Sequence, residues 1–368
     1  MKCLFRLLFA FLIISTVTAQ KNPYLLVGTY ASPKSEGIYV YRFNSKTGEA
    51  TLVSFCKTSN PSYLSVAPGN KTVYAVNENH PGSVSAYAFN KSNGTLRFLN
   101  SQPSNGDDPC YISTTKNGKF VLAGNYSSGS FSVYPVKKNF TLDTAIRVIY
   151  HKGSSVNKER QESAHVHSVV LSKDNHLLYV PDLGMDKVMI YSFNPLTGTV
   201  KEAPQPFIKV TDGEGPRHFE FHPNNKFAYL MTEMGGAVEV FSYEQDQLKP
   251  IQTISSHPDD FTGNKGSADI HVSPDGKFLY CSNRGESNTL TIFKIDQQTG
   301  KLSTIGYQST LGKTPRNFNF DPSGNFLLVA NQNSDDIIIF KRDNVTGLLT
   351  DTGKRIFIGK PVCLKWIQ

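Results

Sequence analysis

Short segments of alternating apolar and polar residues, separated by tight polar turns, recur along the chain. The turns occupy residues 68–70, 116–118, 173–175, 223–225, 274–276 and 322–324. Each turn is followed by an aromatic or aliphatic segment, as at Leu279 and Tyr280, and then by a third apolar segment. Turns of this composition join adjacent strands. The period of two residues, with many β-branched and aromatic side chains, predicts strands and excludes helical repeats.

The repeats have a period of about 50 residues. Their opening strands begin at Pro61, Pro109, His165, Pro216, Ser267 and Pro315, with spacings of 48, 56, 51, 51 and 48 residues. Four short strands per period are typical of a β-propeller blade. Residues 24–52 supply a second, third and fourth strand without a first, and residues 361–367 supply a first strand alone. The sequence therefore predicts one all-β domain over residues 20–368. This domain is a seven-bladed β-propeller, closed by the C-terminal strand joining the N-terminal blade.

Residues 1–19 are typical of a secretory signal peptide. Lys2 and Arg6 form a basic start, residues 7–14 are apolar but too few to span a bilayer, and residues 17–19 are small. We predict cleavage near Ala19 and a secreted or periplasmic mature protein. An uncleaved anchor is the alternative, which the interruption at Arg6 disfavours. No later apolar segment reaches the roughly 18 residues of a spanning helix, so no membrane contact beyond export is predicted.

Composition narrows the classes of partner. The 368-residue chain has 38 Lys+Arg and 30 Asp+Glu, a net charge of +8, but no Lys/Arg-rich block. Nucleic acid and membrane surfaces are therefore not predicted as partners. Four cysteines remain after the signal segment, without a Cys-x-x-Cys pair or His at zinc-ligand spacing: Cys56, Cys110, Cys281 and Cys363. We interpret them as small buried apolar groups. Their redox state and the oligomeric state of the protein are left open.

Polar side chains concentrate where the opening strand of each repeat begins. Counted from the first residue of that strand, offsets +2 and +4 are mostly polar and offsets +3 and +5 mostly apolar. The even offsets are therefore expected to face the central channel. The second strand runs back antiparallel, so its end, at offsets +16 and +17, returns beside the same rim. Three neighbouring repeats bring ionisable residues there: His165, His167, Asp182, Arg217, His218, Glu233, Asp269 and Arg284.

Repetition separates structural from functional candidates at this rim. A polar cluster at a channel mouth is the expected site in such a fold. Asn recurs at offset +16 in four repeats, and a residue repeated in most blades is interpreted as shaping a loop: Asn77, Asn125, Asn283 and Asn331. Four others differ from their equivalents in most repeats and are interpreted as functional: His167, Arg217, Glu233 and Arg284.

The segments that carry these residues resemble one family. They are His-x-His at 165–167, Gly-Pro-Arg-His at 215–218, Thr-Glu-Met at 232–234 and the Ser-Pro-Asp-Gly segment at 273–285. Together they are similar to the propeller-type lactonases, which include bacterial 6-phosphogluconolactonase and the fungal carboxy-muconate lactonizing enzyme. The resemblance extends over the mature length and implies a seven-bladed propeller without metal or organic cofactor. It also implies a site of His167 (or His165), Arg217, Glu233 and Arg284. The chain departs from the family at Thr232, where Asn is common.

The resulting hypothesis is a hydrolase that opens a small-molecule sugar-acid lactone, of the 6-phosphogluconolactonase type. Glu233 or His167 would activate water as a general base. Arg217 and Arg284 would hold an anionic group of the substrate and stabilise the oxyanion. Four further residues would contact the substrate: His165, Asp182, His218 and Asp269.

Two other readings compete with this hypothesis. One is a non-catalytic propeller that binds a small ligand or a partner protein at the same rim, because the fold hosts both kinds of function. The other is a six-bladed, calcium-dependent lactonase, which is disfavoured because the rim lacks a convergent set of carboxylates and Asn.

Overall fold

Seven four-stranded antiparallel sheets account for the repeats of the sequence. The computed structural model describes residues 22–368, so the predicted signal peptide and its cleavage near Ala19 lie outside the described residues. The first strands of successive blades contact one another, which makes them the inner strands of a ring. The predicted all-β, seven-bladed β-propeller is confirmed.

The strands are numbered in chain order. The first fifteen are β1 (Tyr24–Thr29), β2 (Gly37–Asn44), β3 (Glu49–Lys57), β4 (Leu64–Val66), β5 (Thr72–Asn77), β6 (Ser83–Asn90), β7 (Thr95–Pro103), β8 (Pro109–Thr114), β9 (Phe120–Asn125), β10 (Ser130–Pro135), β11 (Arg147–Tyr150), β12 (Val170–Leu171), β13 (Leu177–Asp182), β14 (Lys187–Phe193) and β15 (Val200–Lys209). The others are β16 (Pro216–Phe221), β17 (Phe227–Thr232), β18 (Ala237–Glu244), β19 (Gln247–Ser255), β20 (Ser267–Val272), β21 (Phe278–Asn283), β22 (Thr289–Ile295), β23 (Leu302–Ser309), β24 (Pro315–Phe320), β25 (Phe326–Asn331), β26 (Asp336–Arg342), β27 (Leu349–Phe357) and β28 (Pro361–Ile367). Blade 1 contains β28 and β1–β3, and blades 2 to 7 each take the next four strands. A 3-10 turn at Leu183–Met185 is the one helical element of residues 22–368.

The two ends of the described chain meet in blade 1. Strand β28 pairs antiparallel with β1, with Leu26 opposite Lys365 and Gly28 opposite Cys363. A Cβ on Gly28 would lie 2.3 Å from the carbonyl oxygen of Pro61, so only glycine allows blades 1 and 2 to approach this closely. The pairing leaves no bare inner edge at which the ring could open.

Apolar side chains of the inner strands pack between neighbouring blades. The offset +3 residues Leu64, Phe219, Ile270 and Phe318 are at most 4% exposed, as their alternation predicts. The opening strands of blades 2 and 4 are shorter than expected. Strand β12 has two residues, and the preceding segment is held by a Val166–Asp182 bridge and a hydrogen bond from His167 N to Pro181 O (3.0 Å).

A β-bulge near the start of the inner strand changes which side chains face the channel. The register shifts by one residue in blades 3, 5, 7 and 1, and the extra residues are Cys110, Arg217, Arg316 and Val362. Blade 6 shifts in the same place, between Ser267 and Ile270. A bulge turns two successive side chains toward one side of a strand. Offsets +1 and +2 therefore both line the channel, where simple alternation assigns only the even offsets.

The recurring asparagines at offset +16 hold the loop that enters each blade. Their side-chain Nδ2 groups donate to carbonyl oxygens of the preceding loop in all four blades: Asn77 to Ser59 (2.6 Å), Asn125 to Ser104 (3.2 Å), Asn283 to Ser256 (2.8 Å) and Asn331 to Thr310 (3.1 Å). All four are at most 4% exposed. Their interpretation as loop-shaping residues is confirmed.

Asn283→Ala should destabilise the fold by about 1–3 kcal/mol, because the change leaves buried polar groups unpaired. The Oδ1 atom of Asn283 also accepts hydrogen bonds from Ser256 Oγ (2.9 Å) and Ser267 Oγ (2.6 Å). The measurement is the free energy of unfolding in urea. Asn344→Ala is the control, because Asn344 is exposed and its amide bonds only Asn325 (3.0 Å). Equal stability of the two variants would show that the loop does not depend on these hydrogen bonds.

Candidate functional site

One end of the channel opens into a polar pocket of about 310 Å³. Its lining comes from three positions of the repeat and one loop. Offset +17 supplies Glu78, Tyr126, Glu233 and Arg284. Offsets +1 and +2 supply Cys110, His167 and Arg316, and the loop between blades 3 and 4 supplies Arg160. The pocket therefore collects side chains from blades 2 to 7.

The carboxylate of Glu233 lies at the centre of this pocket. Its Oε2 atom is 2.9 Å from Arg217 Nε and 3.1 Å from Arg284 Nη2, and its Oε1 atom is 2.8 Å from Arg160 Nη2. The His167 Nε2 atom is 3.9 Å from Oε2. The structure thus brings together the four residues that the sequence predicts as catalytic.

The backbone around Glu233 fixes the carboxylate in place. Glu233 follows strand β17, its N–H donates to Gly215 O (2.7 Å), and its carbonyl accepts from Ser267 N (2.9 Å). The neighbouring Thr232, where the resembling family commonly has Asn, instead bonds Glu214 Oε2 (2.8 Å) and Ala237. Burial opposes ionisation of Glu233, but the charges of the surrounding arginines outweigh it and hold the pKa of Glu233 well below its usual range.

Arg217 is buried behind Glu233 and does not line the open pocket. Its side chain is 1% exposed, and besides Glu233 it donates to the Ala268 carbonyl in blade 6. This geometry suits a group that holds the carboxylate. It does not suit one that meets an incoming anion.

His167 lies between the open pocket and the channel below it. The residue is 5% exposed, and its Nδ1 atom is 3.8 Å from Cys110 Sγ. Burial, with the nearby charge of Arg217, lowers the pKa of His167 well below its usual value. Burial likewise raises the pKa of the Cys110 thiol. At neutral pH the pocket therefore contains a neutral imidazole beside a neutral thiol.

Arg284 and Arg316 line the pocket together with Arg160. Arg284 donates through Nε to Gly266 O (2.8 Å), and burial lowers its pKa to about 10 despite the neighbouring Glu233, so it remains charged at neutral pH. Arg316 lies 3.9 Å from Glu78 Oε2, and Glu78 Oε1 accepts a hydrogen bond from Tyr30 (2.8 Å).

His165 and Asp182 lie behind the pocket wall. The His165 ring stacks on Tyr126, with ring centroids 4.6 Å apart. Asp182 is fully buried, accepts from His165 N (2.8 Å), and lies 2.6 Å from His151 Nδ1. Neither side chain lines the pocket. Their contact with substrate therefore remains a prediction. In the structure, their contacts with Tyr126 and His151 support the pocket wall.

His218 and Asp269 lie deeper in the channel, in a chain of alternating imidazoles and carboxylates. His218 Nδ1 is 2.7 Å from Asp269 Oδ1, His271 Nε2 is 3.2 Å from Asp269 Oδ2, and His271 Nδ1 is 2.6 Å from Glu220 Oε2. Burial and Arg217 lower the pKa of His218 to about 4. Burial also opposes protonation of His271, yet the two adjacent carboxylates raise its pKa to about 10.

Sequence reasoning missed Arg160 as a pocket residue. Arg160 lies outside the strands, in the loop between blades 3 and 4, and it also donates to Tyr126 OH (3.1 Å). The 56-residue spacing from Pro109 to His165, longer than the others, was the signal of an insertion at this point. The same insertion contributes His151, which covers Asp182.

Other features of the described chain offer less for chemistry. A larger cleft of about 740 Å³ between blades 2 and 3 is lined by Lys71, Arg97 and Phe140 among others, with no acidic or imidazole group. Within residues 22–368, no three His, Cys, Asp or Glu side chains are grouped to hold a metal ion. The same residues include no helix with the length and apolarity needed to cross a membrane.

Comparison with known proteins gives consistent matches over nearly the whole chain. The sequence model of a family described as "Lactonase, 7-bladed beta-propeller" matches residues 24–366. The chain is 35% identical to a 6-phosphogluconolactonase of Bacillus subtilis, covering 93% of this chain and 97% of the relative. It is 38% identical to a 6-phosphogluconolactonase of Formosa agariphila, covering 88% and 94%. The solved structure of a periplasmic gluconolactonase of Pseudomonas aeruginosa is 38% identical, with a TM-score of 0.91, covering 94% and 99%.

His271→Gln should remove a stability loss that the wild-type protein shows in mild alkali. The pKa of His271 is about 6.5 in the unfolded chain and about 10 in the folded protein. Between these two pH values the folded protein retains a proton on His271 that the unfolded chain releases. The stability from His271 is therefore complete below about pH 6.5 and disappears as pH rises through about 10. The measurement is the free energy of unfolding against pH, with exposed His176→Gln as control. Parallel curves for wild type and His271→Gln would contradict the charge assignment.

Proposed function

The chain belongs to the seven-bladed β-propeller lactonase family, and on this premise we propose that it hydrolyses the ring ester of a sugar-acid lactone. The observation that carries the proposal is the arrangement around Glu233. A buried carboxylate, three arginines and a neutral imidazole meet at one channel mouth. Such a site provides a proton acceptor together with fixed positive charge for a developing oxyanion.

The charge of the pocket favours an anionic lactone. Arg160, Arg284 and Arg316 line it against only Glu78 and Glu233, and Arg160 is the most open of the arginines in ion pairs with Glu233, with 44% of its side chain exposed. Fixed guanidinium groups bind phosphoryl and carboxyl groups well. We propose 6-phosphogluconolactone, the substrate in the names of the Bacillus subtilis and Formosa agariphila relatives, as the first candidate.

Unphosphorylated gluconolactone is the second candidate. The sequence of residues 1–19 predicts export, and a periplasmic gluconolactonase is among the structural relatives. We propose that the mature protein is exported, in which case a phosphorylated sugar of the cytosol would be harder to meet.

His167 is better suited than Glu233 as the general base. Both oxygens of Glu233 already face guanidinium groups, Oε1 that of Arg160 and Oε2 those of Arg217 and Arg284. His167 is neutral and lines the pocket, so its imidazole can accept a proton from water there. Glu233, 3.9 Å away, would then stabilise the imidazolium formed when His167 takes a proton.

The reaction balances with these groups alone. The water oxygen attacks the lactone carbonyl carbon while one water proton passes to His167. Arg284 and Arg316 stabilise the oxyanion. The carbonyl re-forms, the bond to the ring oxygen breaks, and that oxygen takes the proton from His167. The product is the open hydroxy acid, and Arg217 holds Glu233 throughout.

Glu233→Gln should lower kcat roughly 100-fold or more, because the variant loses the charge that stabilises the imidazolium. The KM for an anionic lactone should not rise, because the pocket becomes more positive. Hydrolysis of 6-phosphogluconolactone and gluconolactone by purified mature protein measures both constants. Glu239→Gln is the control, since Glu239 is a buried carboxylate of the same blade that bonds Thr253, outside the pocket.

The same assay separates the proposal from its alternative. Turnover that depends on Glu233 supports the hydrolase. No turnover by wild type on any lactone, together with retained binding of a sugar acid, would favour the non-catalytic propeller.

Arg160→Ala should raise KM for 6-phosphogluconolactone roughly tenfold and change gluconolactone hydrolysis much less. The physical reason is that an exposed guanidinium at the pocket mouth recognises the phosphoryl charge, which the second substrate lacks. Arg147→Ala, at an exposed position of strand β11, is the matched control. Equal effects of Arg160→Ala on the two substrates would rule out phosphoryl recognition by this arginine.

A further inference from the structure

A small void lies directly below the pocket. Its volume is about 10 Å³, which suits a single water molecule. Cys110, His167 and Arg316 line both the void and the pocket. The void therefore adjoins the place where a lactone would bind but is too small to hold one.

Two residues that line this void, Ser62 and His218, each carry a buried polar atom without a partner. Ser62 is 2% exposed and His218 is 5% exposed. Neither Ser62 Oγ nor His218 Nε2 has a hydrogen-bond partner among residues 22–368. Buried polar groups nearly always pair with protein or with ordered water. Two such atoms on one water-sized void point to a ligand that can both donate and accept hydrogen bonds.

The tautomer of His218 is set by its contact with Asp269, the next group in the series of alternating imidazoles and carboxylates. Nδ1 faces the carboxylate of Asp269 at 2.7 Å, so Nδ1 carries the proton and donates it. Asp269 is itself fixed by hydrogen bonds from Asn317 and Ile270 N and by the protonated His271. Because His218 is neutral, its Nε2 atom presents a lone pair, and an atom of this kind accepts a hydrogen bond.

We propose that this void holds the water that attacks the lactone, and that His218 is the residue that positions this water. The inference rests on the proposed hydrolytic function. The water donates one hydrogen bond to His218 Nε2 and the other to His167. It accepts a hydrogen bond from the hydroxyl of Ser62. With both protons directed into the protein, an oxygen lone pair is free to point toward the substrate.

Each atom of the step is accounted for. The water oxygen forms the new bond to the lactone carbonyl carbon, and the proton directed at His167 moves to that imidazole. The proton directed at His218 stays on the oxygen and becomes part of the new carboxylic acid, which ionises in solution. His218 itself undergoes no net protonation.

Two variants of His218 test its role in catalysis. His218→Asn keeps an amide near Nδ1 to bond Asp269 but removes the acceptor, and should lower kcat roughly 100-fold with KM within about twofold. His218→Gln places an amide oxygen near Nε2 and should recover part of kcat. A merely structural role would affect stability or KM and would not show this order.

A void-filling variant tests the water independently. Val362, 1% exposed, also lines the void, and Val362→Ile should displace the water and lower kcat roughly tenfold. Val272→Ile, in strand β20 and outside the void lining, is the control. A high-resolution crystal structure of the wild-type protein should show one water bonded to His218 Nε2 and Ser62 Oγ, which Val362→Ile lacks.

The outcomes separate this inference from the proposed function. Density for the water, with the kcat losses at His218 and Val362, supports it. If the wild-type protein is active but its structure lacks this water, or if His218→Asn leaves kcat unchanged, the inference is wrong and the proposed lactonase function is unaffected. If the wild-type protein hydrolyses no lactone, the proposed function is wrong. The catalytic role of the water is then also wrong, even if the crystal structure shows the water.

Discussion

Antiparallel pairing of β28 with β1 is the constraint on which the other features depend. A propeller blade presents little to the channel by itself, and the pocket needs side chains from six of the seven blades. Only a closed ring brings offset +17 of blades 2, 3, 5 and 6 to one mouth. Closure also removes the exposed edges of the inner strands, which would otherwise pair with other chains. The position of the site is therefore a consequence of how the ring is completed.

The bulge near the start of the inner strands determines what kind of site this mouth becomes. Without the extra residue, Arg217 would point between blades and His218 alone would face the channel. With it, Arg217 reaches Glu233 while His218 reaches Asp269. Burying so many charges in a narrow channel is costly unless each has a partner. The observed alternation of cations and carboxylates, from Arg160 through Glu233 to Arg217 and from Asp269 through His271 to Glu220, meets that requirement.

The surrounding charges also give the histidines of the channel different protonation states. His167 and His218 are kept neutral by burial near arginine, whereas His271 is kept protonated between two carboxylates. A neutral imidazole can accept a proton or a hydrogen bond, whereas an imidazolium only donates hydrogen bonds and balances negative charge. In the proposed mechanism, His167 accepts the proton and His218 positions the water, while His271 holds His218 in place through Asp269. Hydrolysis of a lactone would need little more, because water opens the ester once a base and positive charge are in place.

Sequence alone determined the number of blades, the shared first blade and the meeting of His167, Arg217, Glu233 and Arg284. Strand alternation and a regular period are local properties, and the start of each first strand and the end of each second strand reach the same rim when the repeats form a ring. The tertiary structure determined the positions of those site residues that depart from the regular repeat. The bulge turns Arg217 and Arg316 into the channel, the insertion before blade 4 supplies Arg160, and His151 contacts Asp182 behind the pocket wall. Each of these departs from the period, and the direction of an irregular side chain is set by the partners it finds across the ring.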